Sequence, residues 1–368
     1  MSALDKLRER MDRLGERLKR GRLRPLSPAY DATLAFLFTV PQRTAAAPHV
    51  RGPLSVKRYM SVAIVAALPC LAAGVYFFGW RVLAMTVVTY AAGLSVEWLF
   101  AMFRREEINE GFFVTGILYP LILPPTLPLW MVAVGIIFGV VIGKELFGGT
   151  GRNPFNPALV GRCFLLIAYP TAASAAWLAP PAGWLGRLGS WSADAITTAT
   201  PLVSAKSGTY ASLFSLLAGD VSGSAGETCR VLIILGGLLL LVTGVGSWRT
   251  VLSGLGSFAV LLFVLAAAAP AKFAHAGSGA AETVLWHLLA GGLLFGVLFM
   301  ATDPVTSPFS KAGKWGYGII IGVSTVLIRH LTGYVEGVMF AILLGNIAAP
   351  ILDELATRAH LRRIRDEG

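Results

Sequence analysis

Four polar segments interrupt the apolar stretches of this chain, and the first has the residue types of a ligand site. Segment 147–162 reads FGGTGRNPFNPALVGR. Its glycines let backbone amides approach a ligand closely, and Asn153 and Asn156 offer side-chain donors and acceptors at the start of the next helix. A tight turn followed by a helix N-cap explains the same residues without a ligand. The spacing alone leaves both interpretations open.

The other three polar segments carry hydroxyls or carboxylates. Segment 194–202, DAITTATPL, has the composition of an ordinary exposed loop. Segment 300–318, MATDPVTSPFSKAGKWGYG, contains an Asp-Pro pair that we expect to end a helix. Segment 106–113, EEINEGFF, opens a short apolar helix. By composition alone, none of these three segments identifies a ligand.

Four carboxylates lie inside or at the ends of apolar stretches. A charge within a membrane span costs about 3 kcal/mol or more unless it is paired or hydrated. Glu97 lies within a predicted span, so we interpret it as the best candidate for a cation path. Glu145, Asp303 and Asp353 lie at span ends, where solvation is an equally good interpretation.

Phe295 and Phe299 precede Asp303 at a spacing of four residues, which places both rings on one helix face. Two rings there could narrow an ion path. Ordinary core packing is the alternative and the simpler interpretation.

The composition is that of a membrane protein. Of the 368 residues, 55% are hydrophobic and 14% are charged, and the mean hydropathy is +0.68. Apolar stretches of about 20 residues recur almost continuously over 59–353, which excludes a soluble globular protein. We predict ten spans: 59–80, 82–103, 112–123, 129–147, 156–178, 228–246, 250–270, 282–302, 315–331 and 336–353.

The distribution of Lys and Arg predicts the orientation. Of the 31 such side chains, about 24 lie in the tails and in loops on the side of the N-terminus. The positive-inside rule therefore puts both termini in the cytoplasm, and it explains the net charge of +11 without a nucleic-acid partner. We expect a basic cytoplasmic segment 1–58, a membrane domain 59–353 with an external loop 179–227, and a basic cytoplasmic tail 354–368. The charged N-terminal stretch predicts no cleavable signal peptide.

A weak internal repeat favours an inverted architecture. Residues 111–142 and 296–325 both contain a short apolar helix, a Pro-rich break, a Trp and then a Gly-Ile-Ile pattern. Five spans in each half would orient the two repeats oppositely, which is how many membrane proteins build a central site. We therefore predict an all-α membrane fold of about ten helices in two inverted five-helix repeats. Chance similarity of apolar sequences is the alternative.

Cysteine usage predicts no metal centre. Cys70, Cys163 and Cys229 lie singly in apolar stretches, and no CxxC motif occurs. We therefore expect no iron–sulfur, zinc or haem-c site in this chain, and we interpret the three thiols as packing residues.

At its polar segments the sequence resembles the NqrB/RnfD family. These proteins are flavin-bearing membrane subunits of the Na⁺-translocating NADH:quinone oxidoreductase and of the Rnf ferredoxin:NAD⁺ oxidoreductase. The resemblance covers about residues 26–356. It is carried by NEGFFVTGILYPLILPPTLPLW, FGGTGRNPFNPALVGR, DAITTATPL, GETCRVLIILGGLLLLVTGVGSWR and FMATDPVTSPFSKAGKWGYGIIIGV. The lead-in SPAYDATLAFLFTVPQRTAAAPHVRGPLSVKRYM and the PPTLPLW stretch look more like the NqrB branch, and the implied fold is similar to that of urea transporters.

The resemblance implies a covalently bound FMN. In the family, a flavin transferase joins FMN by a phosphoester to a hydroxyl in a D-x-x-[ST]-G-A-[ST] pattern. Asp194, Thr197 and Ala199 match that pattern here, and Thr200 is the implied acceptor. Thr198 stands where the family usually has Gly. The loop is predicted to lie outside, where the transferase acts in the family.

The resemblance further implies a non-covalent riboflavin on the cytoplasmic side, at Asn153 and Asn156. Gly93 and Glu97 match the segment associated with quinone reduction in the NqrB branch. The quinone and ion path that we predict comprises Gly93, Glu97, Phe295, Phe299, Asp303 and Asp353.

The expected function is that of an electron-carrying core subunit of a redox-driven Na⁺ pump in the bacterial inner membrane. The implied partners are a second FMN-bearing subunit, an iron–sulfur subunit linked to NADH or ferredoxin, and the flavin transferase. The alternatives are an RnfD-type subunit of ferredoxin:NAD⁺ oxidoreductase, a non-redox channel of the urea-transporter type, and an assembly subunit that has lost its cofactors.

Overall fold

The computed structural model describes residues 56–105, 111–175, 177–178, 191, 198–275 and 278–367. Most of the predicted N-terminal segment and much of the predicted external loop lie outside these ranges, and so do Asp194 and Thr197. Within them every regular element is helical. The all-α prediction is therefore confirmed for the described residues.

The main chain forms fifteen α-helices within the described ranges, together with a 3₁₀ turn, Glu145–Phe147, and a π-helical turn, Gly296–Met300. The α-helices are α1 Val56–Phe78, α2 Arg81–Arg104, α3 Gly111–Leu121, α4 Leu129–Gly143, α5 Pro157–Ala168, α6 Pro170–Ala175, α7 Pro201–Lys206, α8 Leu213–Ala218, α9 Arg230–Val242, α10 Trp248–Ala268, α11 Pro270–Phe273, α12 Ala280–Leu289, α13 Leu293–Phe295, α14 Lys311–Leu331 and α15 Val338–Glu367.

Five of these helices are long and apolar enough to cross a bilayer, namely α1, α2, α4, α10 and α15. A sixth span results if α12 and the bent continuation through α13 and the π-helical turn are counted together. Helices α3, α5 and α9 are apolar but shorter. The chain is therefore a multi-pass membrane protein, as its composition predicts, whereas the count of ten spans stays a prediction.

Two predicted spans are interrupted in the structure. Span 156–178 breaks at Tyr169, because Pro170 has no backbone N–H and disfavours a helical conformation of the residue before it. Span 282–302 bends by 66° between α12 and α13. Gly291 lies at this second break with φ +69°, a conformation that glycine adopts without strain.

Buried charged side chains satisfy the backbone groups freed at the second break. Arg230 and Arg329 donate to carbonyl oxygens of the last turn of α12 and of the residue after it, at 2.7 to 3.1 Å. The Glu336 carboxylate accepts from the Gly292 amide at 2.7 Å. Irregular backbone inside a membrane protein requires such partners, because lipid supplies none.

The helices pair in the same order in both halves of the chain. Helix α2 packs on α4 and α4 on α5, while α10 packs on α14 and α14 on α15; α1 contacts α9 across the halves. Glycines permit the closest contacts. A Cβ atom on Gly161 would lie 2.6 Å from the carbonyl oxygen of Gly135, and one on Gly318 would lie 2.6 Å from that of Thr250. The inverted relation of the two halves stays a prediction.

Candidate functional site

The end of segment DAITTATPL borders a cavity of about 500 Å³, which we call the outer cavity. Thr200 lines it, and no hydrogen bond from its side chain caps α7. The backbone before Thr200 is fastened to the protein, since the Thr198 amide donates to the Trp177 carbonyl (3.0 Å) and the Ser222 hydroxyl donates to the Ala199 carbonyl (2.6 Å). The hydroxyl of Thr200 is thus held beside an opening.

Charged side chains form part of the outer cavity's wall. Arg162 pairs with Glu227, with 3.2 Å between Nη1 and Oε1, and also with Glu336. The side chains of Arg162 and Glu227 are only 12% and 5% exposed. Arg230 lines the same cavity, and most of the remaining wall is apolar. Opposite charges in contact can remain ionised in such surroundings because each offsets the desolvation of the other.

The outer cavity fits a flavin mononucleotide. Its volume lies within the range of about 300 to 1,000 Å³ that encloses small ligands. The Thr200 hydroxyl supplies an alcohol for a phosphoester, Trp177 supplies an aromatic surface, and the two arginines supply hydrogen-bond donors. The residues present therefore suit the group that the sequence motif implies.

A second cavity, the inner cavity, joins residues from the first and third polar segments. It measures about 70 Å³. Asn153 and Asn156 line one part, Phe299 and Asp303 another, and Lys144 lies between the segments in sequence. Predictions made separately from distant motifs thus meet in one place.

Asn153 and Asn156 perform the local structural roles that the sequence left as the alternative. Asn153 Oδ1 accepts from the Gly151 amide (3.2 Å), and Asn156 Oδ1 accepts from the Ala158 amide (3.0 Å) to cap α5. Both residues are 6% exposed. A cavity of about 70 Å³ is too small for a three-ring flavin, so riboflavin does not fit inside it as it stands, and no electron-transfer step is derived through riboflavin.

Glu97 forms a buried ion pair with Lys144, and each of the two side chains is 4% exposed. Its charge is therefore balanced by a cation from the end of α4. Glu145 is likewise buried and pairs with Arg104 at 2.7 Å instead of being solvated. On the same face of α2 as Glu97, a Cβ atom on Gly93 would lie 2.0 Å from Cζ of Phe112, so tight packing requires a glycine there.

The two aspartates of the predicted ion path make different contacts. Asp303 accepts from the Thr306 hydroxyl at 2.9 Å; burial raises the pKa of the Asp303 carboxyl, and its hydrogen bonds oppose that shift. Asp353 lies within α15, which continues through the predicted tail, and accepts from the Phe309 and Ser310 amides at 2.8 Å each. It therefore holds the start of α14 against α15.

Phe295 and Phe299 stack, with ring centroids 4.9 Å apart and an angle of 19° between planes. This is the contact that a spacing of four residues predicts. Both rings are buried, and Phe299 also lines the inner cavity.

Sequence reasoning missed four charged residues that shape these cavities. They are Lys144, Arg162, Glu227 and Glu336. The energetic argument that selected Glu97 applies equally to Arg162, which lies within the apolar helix α5. The sequence does not show which of them become partners.

Comparison with known proteins establishes the relationship of this chain. The family model described as NQR2, RnfD, RnfE family matches residues 43–362. The chain belongs to this family. The resemblance recognised from the motifs is thereby confirmed.

Three relatives are named as the NqrB subunit of the Na(+)-translocating NADH-quinone reductase. The protein of Klebsiella pneumoniae (strain ATCC 700721 / MGH 78578) is 37% identical, over 95% of this chain and 96% of the relative. That of Azotobacter vinelandii is 37% identical, over 94% and 95%, and that of Pseudomonas aeruginosa (strain LESB58) is 35% identical, over 97% and 98%. These relatives are subunits of an ion-translocating oxidoreductase, and their name agrees with the preference for the NqrB branch.

Proposed function

We propose that this chain is the flavin-carrying electron-transfer core of a redox-driven Na⁺ pump, a subunit of an NADH:quinone reductase of the bacterial inner membrane. The observation that carries the proposal is the position of Thr200. In a chain that aligns over nearly its whole length with NqrB relatives, this residue borders a flavin-sized cavity.

In this proposal, Thr200 bears FMN through a phosphoester. FMN, when bound, supplies reversible electron transfer at its ring system. Arg162 and Arg230 offer donors to electronegative atoms of the ligand, while Trp177 and the apolar wall limit the access of water. Glu227 keeps Arg162 in place through their ion pair, so the guanidinium is oriented before the ligand arrives.

The inner cavity supports the second part of the proposal. Asn153 and Asn156 would contact the polar edge of a riboflavin that extends beyond this small cavity, and quinone would bind near Gly93 and Glu97. Sodium ions would pass Glu97, the stacked phenylalanines and Asp303. The ion path is proposed because these residues, Gly93 apart, either line the inner cavity or contact a residue that does; Asp353 enters the path only as the residue that orients α14.

The proposal includes an orientation, with ten spans in two inverted halves and both termini in the cytoplasm. Reporters fused after residue 1 and residue 368 should report the cytoplasm, and a reporter inserted within 203–225 should report the outside. Termini on opposite faces would contradict the ten-span arrangement and the sidedness of both cavities.

The function is tested on the assembled complex. The proposed partners are a second FMN-bearing subunit and an iron–sulfur subunit linked to NADH. The complex purified through this chain should reduce quinone with NADH in a Na⁺-dependent reaction, and this chain should contain covalent FMN. Covalent flavin without quinone reduction, together with ferredoxin:NAD⁺ exchange, would assign the chain to the RnfD branch. A chain without flavin would favour a channel or an assembly subunit.

A further inference from the structure

A third cavity, which we call the cationic cavity, lies next to the outer cavity. Its volume is about 220 Å³. Leu202 and Val335 line both cavities, so the two are separated by little more than these side chains. The residues around it belong to loops and helix ends that the charge distribution places on the external side.

The ionisable side chains around this cavity are all basic. Three are permanently charged, and three are imidazoles. They are Lys206, Lys272, Arg329, His275, His287 and His330. No carboxylate lines the cavity among the residues that the structure describes. The outer cavity, in contrast, balances its arginines with Glu227 and Glu336.

Several nitrogen atoms at this cavity have no hydrogen-bond partner within the described part of the chain. They are Nδ1 of His287, Nε2 of His330 and Nε of Arg329. His287 and Arg329 are only 7% and 5% exposed. A buried polar nitrogen without a partner costs about 1 to 3 kcal/mol, so such atoms usually have a ligand or water.

We propose that the cationic cavity binds an oxyanion of the phosphate and sulfate class. An oxyanion accepts several hydrogen bonds at once, which suits a ring of donors without acceptors. It also relieves the repulsion among the basic groups, because a negative charge replaces water between them. Lys206 and Lys272 are exposed and lie where an anion would enter.

The imidazoles make binding depend on pH. His275 Nε2 lies 3.3 Å from His287 Nε2, and the His275 ring stacks on Tyr210. Burial lowers the pKa of His275, while Glu282 opposes that shift. An anion favours the protonated imidazole, so binding takes up protons and becomes stronger as the pH falls.

Other charges that act on this cluster come from neighbouring elements. Lys206 and Arg329 disfavour protonation of the imidazoles, whereas Glu282 favours protonation of His275. Glu227 and Glu336 act on Arg329 from the side of the outer cavity. The excess of positive charge on the cavity side remains.

A divalent metal between His275 and His287 is the competing occupant. Two imidazole nitrogens at 3.3 Å could share one ion. The adjoining Arg329 and lysines repel a cation, and no group of three metal-ligating residues occurs among the described residues. The oxyanion is therefore the occupant that the charges favour.

Sulfate is the best probe, because its charge does not change between pH 6 and pH 8. Isothermal titration of the purified, detergent-exchanged complex should give saturable binding that is several-fold tighter at pH 6. The double variant Lys206→Gln/Lys272→Gln should weaken it about tenfold, and His330→Gln should reduce the dependence on pH. His287→Gln provides a second test in the buried part of the cluster.

Matched controls separate the cavity from general surface charge. Lys311→Gln and His360→Gln change exposed residues elsewhere, and they should leave sulfate binding unchanged. Equal weakening by Lys311→Gln and by the lysine pair would overturn the proposal. So would tighter binding of Zn²⁺ that survives the lysine substitutions, or the absence of saturable sulfate binding to the unmodified complex.

Nanodiscs distinguish a free anion from a lipid headgroup. If phosphatidylglycerol nanodiscs abolish sulfate binding and phosphatidylcholine nanodiscs do not, the oxyanion is a lipid phosphate. If binding is equal in both, it is a free anion. The assay does not depend on flavin, so its outcome is separate from that of the flavin proposal.

Discussion

The inner and outer cavities accommodate polar side chains in the apolar interior in different ways. Around the inner cavity, Asn153 and Asn156 bond to their own turn and helix end. At the outer cavity, Thr200 caps nothing, and Arg162 joins a residue before α9 to one before α15. Local bonding leaves a closed space of about 70 Å³, whereas long-range ion pairs hold open a space of about 500 Å³.

This difference has a functional meaning. Side chains with local partners stabilise the backbone with or without a ligand, so their substitution changes both stability and binding. The Thr200 side chain caps no helix and can be changed at little structural cost. The four predictions below test that contrast, starting with the largest effect.

Thr200→Ala should remove all covalent flavin from the chain. The reason is that the alcohol that forms the phosphoester is lost, while α7 loses no capping bond. In-gel fluorescence of denatured protein, made together with a flavin transferase, measures the effect.

Thr197→Ala and Thr198→Ala are the controls for Thr200, and both should remain fluorescent. Thr198 is exposed and adjacent, so it is the hydroxyl best placed to compete. Fluorescence that persists in Thr200→Ala and disappears in Thr198→Ala would move the acceptor by two residues.

Arg162→Ala should lower the free energy of unfolding by about 3 to 5 kcal/mol. It leaves Glu227 and Glu336 near one another without their shared cation. Denaturation of detergent-solubilised protein in a Thr200→Ala background measures this without a contribution from flavin.

Arg358→Ala is the matched control for Arg162. It breaks an exposed pair with Glu354 on α15 and should cost less than about 1 kcal/mol. Similar costs for the two arginines would mean that the network at the outer cavity does not stabilise the fold.

Glu97→Gln should lower turnover and Na⁺ dependence, and it should destabilise the protein by about 3 kcal/mol because Lys144 loses its partner. The double variant Glu97→Gln/Lys144→Met removes the unpaired cation and should recover stability. If Glu97 serves the ion path, turnover and Na⁺ dependence remain low in the double variant. Recovery of turnover as well would reduce Glu97 to a structural partner of Lys144.

Asn156 should show the smallest effect on stability. Asn156→Ala should cost about 1 kcal/mol through loss of the N-cap, whereas Asn156→Ser keeps a capping oxygen and should cost a few tenths. Both variants remove the carboxamide, so both should lower the riboflavin content measured by chromatography of the extracted complex. Full riboflavin in Asn156→Ser would assign Asn156 to capping alone.

The sequence by itself determined the class of the protein and its family. Apolar stretches of span length can only be buried in lipid, and the polar segments are long enough to identify the NQR2, RnfD, RnfE family. It also predicted the helix start at Asn156 and the shared face of Phe295 and Phe299, since both depend on neighbours within four residues.

Only the tertiary structure decided which charges became partners and where helices broke within apolar stretches. Glu97 and Lys144 are 47 residues apart, and Arg162 and Glu336 are 174 apart. No local pattern encodes such pairs, because they form only when packed helices bring the side chains together. The 66° bend after α12 likewise depends on Arg230, Arg329 and Glu336, which supply the hydrogen bonds that lipid cannot.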